Sequence, residues 1–120
     1  MSSVLQRILG DIVRVPGITA VFVVSKEGFV VERASTGTLN IDPDALAAMV
    51  TAVHGAVTQL GGELELGKPE TLTLEYTGHY VLIHDLGEHL LAVLADKSQA
   101  VLGRVRYEVR KHAPRIASAL

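Results

Sequence analysis

The pattern of apolar and polar positions along the chain changes its period several times. Residues 3–15 carry apolar side chains every three or four positions, a spacing that predicts a helix ending at Pro16-Gly17. Ser3, with Gln6 three positions later, has the form of a capping box at the start of that helix. The chain is therefore predicted to open with a capped amphipathic helix.

Five segments have the composition of β-strands. Two β-branched and apolar runs flank residues 25–28, which predicts a hairpin with Gly28 at a positive φ. The run from Ala20 to Val24 is apolar at every position, so this strand is expected to be covered on both faces. A meander of three strands with short turns is predicted later in the chain, at residues 71–76, 80–84 and 89–95.

A long segment with helical spacing lies between these two groups of strands. Asp42 is predicted as its N-cap, Pro43 as its first residue and Gly61-Gly62 as its end. One stripe is apolar and is predicted to face the core: Leu46, Met49, Val50, Val53, Val57 and Leu60. A second stripe consists of small residues: Ala45, Ala48, Ala52 and Ala56. Ala47, Thr51, His54 and Thr58 lie on the other flank.

Residues 98–120 are predicted to form the last helix, with Ser98 as its N-cap and Pro114 as an interruption near its end. The residues predicted to face inward are Val101, Leu102, Val105 and Val109. The segment carries a net charge of +4, because Glu108 alone opposes Arg104, Arg106, Arg110, Lys111 and Arg115. Such a charge run is typical of a solvated helix face, and a docking surface for an acidic partner is the alternative interpretation.

The order helix, two strands, helix, three strands, helix predicts the α+β class. We expect one domain, residues 1–120, with a five-stranded antiparallel sheet and helices on both faces in the order αββαβββα. Helices on both faces explain why several strands are apolar at every position. The first strand of the meander is expected to form the single open edge of the sheet.

The composition narrows the classes of function. The chain has 120 residues, of which 48% are hydrophobic, 20% charged and 4% aromatic, which predicts an aliphatic core. The absence of cysteine excludes disulfides and thiolate chemistry. The net charge of −2 argues against general nucleic-acid affinity. No signal peptide is evident and the apolar runs are shorter than a membrane span, so we expect a soluble cytoplasmic protein.

Residues 62–68 spell G-x-x-x-x-G-K, most of a nucleotide-binding P-loop. A working P-loop follows a strand and opens a helix, whereas the predicted order here is the reverse. Pro69 stands where Ser or Thr would hold Mg²⁺, and Glu63 and Glu65 would repel phosphates. The segment is therefore interpreted as a connection from helix to strand, without a nucleotide site.

Two histidines are the candidates for metal binding. With Leu86-Gly87 at the tip of the last hairpin, His84 and His89 would face each other and could share a divalent ion. A third ligand is not evident on that face, so no metal is predicted, and a half-solvated polar pair or a pH-dependent contact is the alternative. No nucleophile elbow, acid/base pair or cofactor motif is evident either. We expect no catalytic residues, no cofactor and no enzymatic activity.

Two features favour an interaction with another protein. The expected edge strand carries Thr71, Thr73 and Glu75 on one face, and its unpaired backbone groups favour edge-to-edge pairing with a second copy. The stripe of small residues between Ala45 and Ala56 lets another helix approach closely, either a neighbour in the same chain or a partner's helix.

Three stretches of the sequence resemble the Roadblock family, which includes dynein light chains. They are ITAVFVVSKEGFVVERAS, TLTLEYTGHYVLIHDLGEHLLAVLAD and LGRVRYEVRKHAPRIASAL. With the order of elements and Glu27-Gly28, the resemblance extends from about Leu5 to Arg115 and is strongest to the stand-alone prokaryotic, MglB-like members. It implies a fold related to profilin and longin domains.

The resemblance also implies a homodimer whose sheets join through the third strand while the middle helices lie side by side. Thr71, Thr73, Glu75 and the small stripe Ala45, Ala48, Ala52 and Ala56 would then form the dimer interface. It further implies that the dimer binds a small Ras-like GTPase as a regulator or scaffold, without binding nucleotide itself. The residues expected to contact the GTPase are Thr51, Ala52, Gly55 and Gln59, with the basic last helix as a second candidate surface.

Two other classes of function stay open. A small-molecule sensing module of antiparallel-sheet type would need an internal apolar cavity, which a dense aliphatic core with few aromatics disfavours. An enzyme is the third class, and a divalent metal at His84 and His89 would favour it. The residues predict neither which GTPase is bound, nor whether hydrolysis is accelerated, nor whether a paralogue replaces the second copy.

Overall fold

The computed structural model of the protein describes residues 3–120, and Ser3 only by its backbone. The described elements are α1 Ser3–Val13, β1 Ile18–Ser25, β2 Val30–Ser35, α2 Pro43–Glu63, β3 Thr71–Glu75, β4 His79–Asp85, β5 His89–Asp96 and α3 Leu102–Ala119. The predicted α+β class and the order αββαβββα are confirmed. The capping box predicted at Ser3 depends on a side chain outside the described part.

The strands form one antiparallel sheet in the order β2-β1-β5-β4-β3. β3 is an edge strand, as predicted. The prediction of a single open edge is wrong, because an open sheet has two edges and β2 forms the second one. A β-bulge interrupts this second edge: Val23 pairs with Glu32 and Val24 pairs with Val30, which leaves Val31 as an extra residue.

The sheet separates two apolar cores. Val21 and Val23 of β1 point into a core shared with α1 and α3, whereas Ala20, Phe22 and Val24 point toward α2. All five side chains are buried. The prediction that this strand is covered on both faces is therefore confirmed.

Helix α2 contacts the sheet mainly at β1 and β2, and it turns a narrow side toward them. Its buried residues are Ala47, Val50, His54 and Gly61. The predicted core stripe is only partly correct, because Met49 and Leu60 are exposed by 60% and 56%. Leu46, Val53 and Val57 pack against the core and are partly buried. Small residues allow the helix to approach the sheet closely.

The predicted end of α2 at Gly61-Gly62 is also wrong. The helix continues to Glu63, and Leu64 is its C-cap. The residues with positive φ come later, at Glu65 and Gly67. Gly61 packs against the returning chain, since a Cβ there would lie 2.8 Å from the carbonyl oxygen of Gly67.

Helix α3 differs from its prediction at both ends. Its N-cap is Val101, which is exposed, so the predictions that Ser98 caps the helix and that Val101 faces inward are wrong. The Ser98 hydroxyl instead donates to the Asp96 carboxylate at 2.7 Å. Pro114 is exposed and does not interrupt the helix, which continues to Ala119.

Helix α2 is 21 residues long and contains an 18-residue window with a mean hydropathy of 1.2, enough by length and composition to cross a membrane. The unbroken apolar runs within this helix are short, as expected from the sequence, because polar residues such as His54 and Gln59 interrupt them. Only 22% of the apolar window is buried in the protein. Length and composition are weak grounds for a membrane span, since a helix that carries an apolar surface for another protein meets the same criteria.

Candidate interaction surface

The edge of β3 exposes backbone groups that can pair with another strand. Toward β4, Tyr76 N–H donates to the carbonyl of His79 at 2.8 Å, and Asp85 N–H donates to the carbonyl of Glu70 at 3.0 Å. The backbone N–H and C=O groups of successive residues on a strand alternate in direction, so those of every second residue of β3 are directed away from β4. The residues that do so are Thr71, Thr73 and Glu75. In the part of the chain that is described, no strand lies beyond them.

The side chains of these three residues already have partners within the chain. The Thr73 hydroxyl accepts from Arg106 at 3.3 Å, and Glu75 forms an ion pair with Lys97. The Thr71 hydroxyl lies 2.7 Å from His84 Nδ1. At this edge the outward backbone groups are therefore available for pairing, whereas the side chains predicted for the interface already have partners.

On the other face of β3, the apolar surface is only partly covered. Leu74 of β3, Val81 of β4 and Leu94 of β5 belong to the core beneath α2, yet each is only half-buried. Helix α2 leaves this part of the sheet open because it contacts mainly β1 and β2. An uncovered apolar strip thus lies beside the open strand edge.

The small stripe of α2 is exposed along its whole length, at Ala45, Ala48, Ala52 and Ala56. Among the residues expected to contact a GTPase, Ala52, Gly55 and Gln59 are exposed as well. Thr51 differs, because it is half-buried and its hydroxyl donates to the carbonyl of Ala47 at 2.9 Å. All but Thr51 are therefore accessible to a partner.

Sequence reasoning missed a group of large apolar side chains exposed around α2. They are Met49, Leu60, Leu64 and Leu66. A signal was present in the sequence, since the leucines on either side of Glu65 fall in a connection where solvated loops carry polar residues. Several exposed large apolar side chains along one helix and the connection that follows it favour a contact with another protein.

A charged cluster joins α2 to the turns at one end of the sheet. The Asp85 carboxylate accepts hydrogen bonds from Lys26 Nζ at 3.1 Å and 3.2 Å and from the Gly87 N–H at 2.7 Å. Burial acts to raise the pKa of Asp85, but these hydrogen bonds and the charges of Lys26 and His54 outweigh it and lower that pKa.

His54 completes this cluster from within α2. Its Nε2 lies 3.2 Å from Asp85 Oδ2, which is a contact distance for an ion pair. The contact does not have hydrogen-bond geometry, so this buried nitrogen has no hydrogen-bond partner among the described residues. Sequence reasoning missed this pair, because the two residues lie far apart in the chain and belong to elements of different type.

The cluster lines a cleft of about 460 Å³ at the end of the sheet. Most of its lining residues are polar or charged, with Lys68 and Glu70 beside Lys26, His54 and Asp85. A sensing module for apolar small molecules would need a pocket lined by aliphatic and aromatic side chains, whereas Pro69 is the one apolar side chain among the residues that line this cleft.

The predicted contact between His84 and His89 is wrong. His84 pairs with Leu91, and His89 pairs with Ser25 of β1. The turn tip is Gly87-Glu88 rather than Leu86-Gly87, because the Leu86 N–H donates to the carbonyl of His89 at 2.8 Å. A shift of one residue at the tip changes every cross-strand pair.

The environment of His84 favours its neutral form. Burial lowers its pKa, and the charge of Arg110 adds to this effect, whereas Asp85 and Glu70 oppose it. In the described chain, no group of three or more His, Asp or Glu side chains is arranged to hold a metal ion.

The segment that resembles a P-loop connects a helix to a strand, as interpreted from the sequence. Gly62 lies in the last turn of α2, and Lys68 lies in the connection that leads to β3. The amides at the start of a helix, which hold phosphates in a true P-loop, are therefore absent from this described segment.

A family profile described as Roadblock/LC7 domain matches residues 4–95. The chain belongs to the Roadblock/LC7 family. It is 30% identical over 116 residues to the uncharacterized protein MJ0714 of Methanocaldococcus jannaschii, covering 97% of this chain and 96% of that protein. The resemblance to the Roadblock family is confirmed.

Solved structures show the same Roadblock/LC7 fold. The gliding protein MglB of Thermus thermophilus has a TM-score of 0.89 at 20% identity, with 98% of this chain and 89% of that chain covered. A structure of MglB with tetrameric arrangement has a TM-score of 0.88 at 21% identity, with 96% and 86% covered. At this level of identity the likeness establishes the fold alone.

Proposed function

We propose that this Roadblock/LC7 protein is a non-enzymatic regulator or scaffold that acts as a homodimer and binds a small Ras-like GTPase in the cytoplasm. Residues 1–120 would form a single domain. The observation that carries the proposal is the open backbone edge of β3 beside an exposed, apolar α2.

Pairing of two β3 edges would join two sheets into one. The outward backbone groups of Thr71, Thr73 and Glu75 would gain partners, which removes exposed edge groups prone to nonspecific pairing. The half-buried Leu74, Val81 and Leu94 lie next to this seam, where a partner's α2 would cover them. The small side chains of Ala48 and Ala52 would let two such helices approach closely.

Pairing through β3 is tested with a proline at Thr73. Sedimentation of the wild-type chain should give about twice 12.8 kDa. Thr73→Pro removes an N–H that points away from β4, so it should weaken the dimer while leaving the β3–β4 ladder intact. Thr73→Val is the matched control, because it keeps the N–H and loses only the hydroxyl that meets Arg106. A Thr73→Pro variant that still sediments as a dimer would rule out this pairing.

Binding to a GTPase is tested by titration with each small GTPase of the same genome, loaded with GDP or with a GTP analogue. Gln59→Arg puts a bulky charge on the exposed face of α2 and should weaken binding about tenfold, equivalent to about 1.4 kcal/mol. Gln99→Arg makes the same change in an exposed turn before α3 and should not alter binding. Absence of binding in both nucleotide states would remove the GTPase from the proposal.

The role toward the GTPase is decided by single-turnover GTP hydrolysis with and without the dimer. Acceleration would indicate an activating protein, although no catalytic group of this chain is proposed. An unchanged rate with nucleotide-dependent binding would indicate that the dimer senses the state of the GTPase.

A further inference from the structure

Helix α3 turns its one acid inward and its basic residues outward. Glu108 is only 8% exposed, and its carboxylate meets Arg104 Nε at 3.2 Å and His112 Nε2 at 3.4 Å. The basic residues are all exposed, namely Arg104, Arg106, Arg110, Lys111 and Arg115. Arg106 and Arg110 lie on the flank of α3 toward β3 and β4, whereas Arg104, Lys111 and Arg115 lie on the flank toward α1. Together these two rows are called the basic face of α3, which carries no exposed carboxylate of its own helix.

Most of the basic face lacks an acidic partner within the described residues. Arg106 donates to a neutral hydroxyl, and Arg115 lies 3.4 Å from His112 Nδ1. Lys111 lies 6.0 Å from the centre of the exposed Tyr107 ring. Arg110 has no ion pair in the described chain, although its charge acts on His84.

Like charges four residues apart on a helix disfavour the helix. Arg106 with Arg110, and Lys111 with Arg115, are two such pairs on α3. A partner that brings negative charge would relieve this repulsion.

A groove of about 310 Å³ borders the basic face on the side of the β4–β5 turn. Arg110 and His84 contribute polar groups to its wall, and Leu86, Ala113 and Pro114 contribute apolar surface. Glu70 and Asp85 also line the groove, and the Asp85 carboxylate is already paired with Lys26. The groove therefore offers a place for one apolar side chain next to an arginine.

We propose that the basic face of α3 docks an acidic segment of a second protein, with an apolar side chain of that segment in the bordering groove. Four of its five cations are arginines, whose planar guanidinium groups bind carboxylates through two parallel hydrogen bonds. Helix α3 has 18 residues and is about 27 Å long, the span of an extended segment of about eight residues.

The distribution of charge favours a short segment over a large polyanion. Residues 98–120 carry +4 and the whole chain carries −2, so the remainder carries −6. A nucleic acid or an anionic membrane extends beyond one helix and would also meet this acidic remainder, which repels it.

This surface lies on the opposite side of the sheet from α2, because α3 packs in the core with α1. Occupation of α2 by a GTPase therefore leaves the basic face open. The inference goes beyond the proposed function, since it adds a second partner that is held at the same time.

The test uses a fluorescent peptide of about eight residues, glutamates with one central leucine, titrated by anisotropy and by backbone amide shifts. We expect affinity that falls as salt rises, with shifts confined to α3 and to the neighbouring Thr73 and His84. Arg106→Glu with Arg110→Glu should lower the affinity about tenfold or more. Shifts centred on Lys26 and Lys68, or no binding, would overturn the proposal.

The matched control reverses the same number of charges elsewhere, as Arg7→Glu with Arg33→Glu on α1 and β2. This control variant should retain the wild-type affinity for the peptide within about twofold. An equal loss of affinity in both variants would show that net charge alone attracts the peptide, and it would overturn the proposal. Arg106→Gln with Arg110→Gln serves if the reversed variant does not fold. Tighter binding of duplex DNA or phosphatidylserine vesicles than of the peptide would also overturn it.

Sedimentation and GTPase binding of the same variants separate this inference from the proposed function. A variant that remains dimeric and binds the GTPase but not the peptide is the expected result. If the wild-type dimer binds the GTPase but does not bind the peptide, the basic-face proposal is refuted and the proposed function is not.

Discussion

Gly61 illustrates how the absence of one side chain sets the position of a helix. A glycine pair after an apolar helix predicts a helix end, because glycine adopts the positive φ of a C-cap readily. In the structure Gly61 is helical and buried, and it makes room for the carbonyl of Gly67. The sequence cannot distinguish these two uses, since both require the same missing Cβ.

We predict that Gly61→Ala lowers the stability of the protein. Its Cβ would lie 2.8 Å from a backbone oxygen, so the chain around Gly67 must shift, at about 1–3 kcal/mol. The control is Gly62→Ala, whose Cβ meets nothing within 4 Å and should stabilise the helix by up to about 1 kcal/mol. Urea unfolding of both variants measures the difference, and equal midpoints would show that the contact at Gly61 is unimportant.

The histidine pair shows a second limit at this scale. The hairpin between β4 and β5 was predictable from its glycine and flanking apolar runs, but its register was not. With the tip at Gly87-Glu88, Gly87 is the first residue of the tip and has a φ of 102°. With the tip at Leu86-Gly87, the positive φ at this position would have fallen on Leu86. One residue of shift was enough to separate His84 from His89.

At the scale of the element, α2 shows why periodicity identifies a helix better than it identifies the buried face. Two neighbouring stripes of α2 are apolar or small, and both are compatible with a core. The structure buries Ala47, Val50 and Gly61 and exposes Met49 and Leu60. In a helix that serves a partner as well as its own core, the more hydrophobic side need not face inward.

Helix α3 continues through Pro114, and the effect of replacing this proline can be predicted. Pro114 has no N–H, so the carbonyl of Arg110 lacks its usual helical partner. We expect Pro114→Ala to restore that hydrogen bond and to stabilise the protein by about 1–3 kcal/mol. The change should raise the midpoint of thermal unfolding.

The control for this prediction is Ser118→Ala, an exposed position one turn later on the same helix, with an effect of only a few tenths of a kcal/mol. If Pro114→Ala lowers the unfolding midpoint, then rigidity of the unfolded chain at the proline outweighs the missing bond.

At the scale of the whole molecule, the class and order of elements followed from the sequence because turns and periods were clear. The sheet order required more, since it depends on pairing between β1 and β5, which lie far apart in the chain. Both strands are apolar on both faces, and this pattern in the sequence indicates their central position in the sheet. No sequence pattern indicated the charged cluster at the sheet end, because it joins three separate elements.

We predict that this cluster supports the fold at neutral pH. Asp85→Asn removes the carboxylate that joins Lys26, the Gly87 turn and His54, and should lower the free energy of unfolding by about 1–2 kcal/mol. The pKa of Asp85 is lowered in the folded state, so its contribution is present above the ordinary value of 3.8 and is lost as the pH falls through the lowered value.

Chemical denaturation across the acid range measures this effect. Wild type and Asp85→Asn should converge in stability at strongly acidic pH, where both side chains are neutral. Asp11→Asn, which removes an exposed pair with Arg14, should change stability by no more than about 0.5 kcal/mol. A constant difference at every pH would assign the effect to side-chain packing instead of charge.

The bulge at Val31 has a consequence for the size of the assembly. Two regular edges on one sheet would allow copies to add at both ends into an endless ribbon, the beginning of a fibre. β2 carries an extra residue opposite β1, so its outer hydrogen-bonding groups lose their even spacing. Once β3 is occupied in the proposed pair, we expect the bulged β2 edge to resist further pairing, so that the protein stays dimeric as its concentration rises.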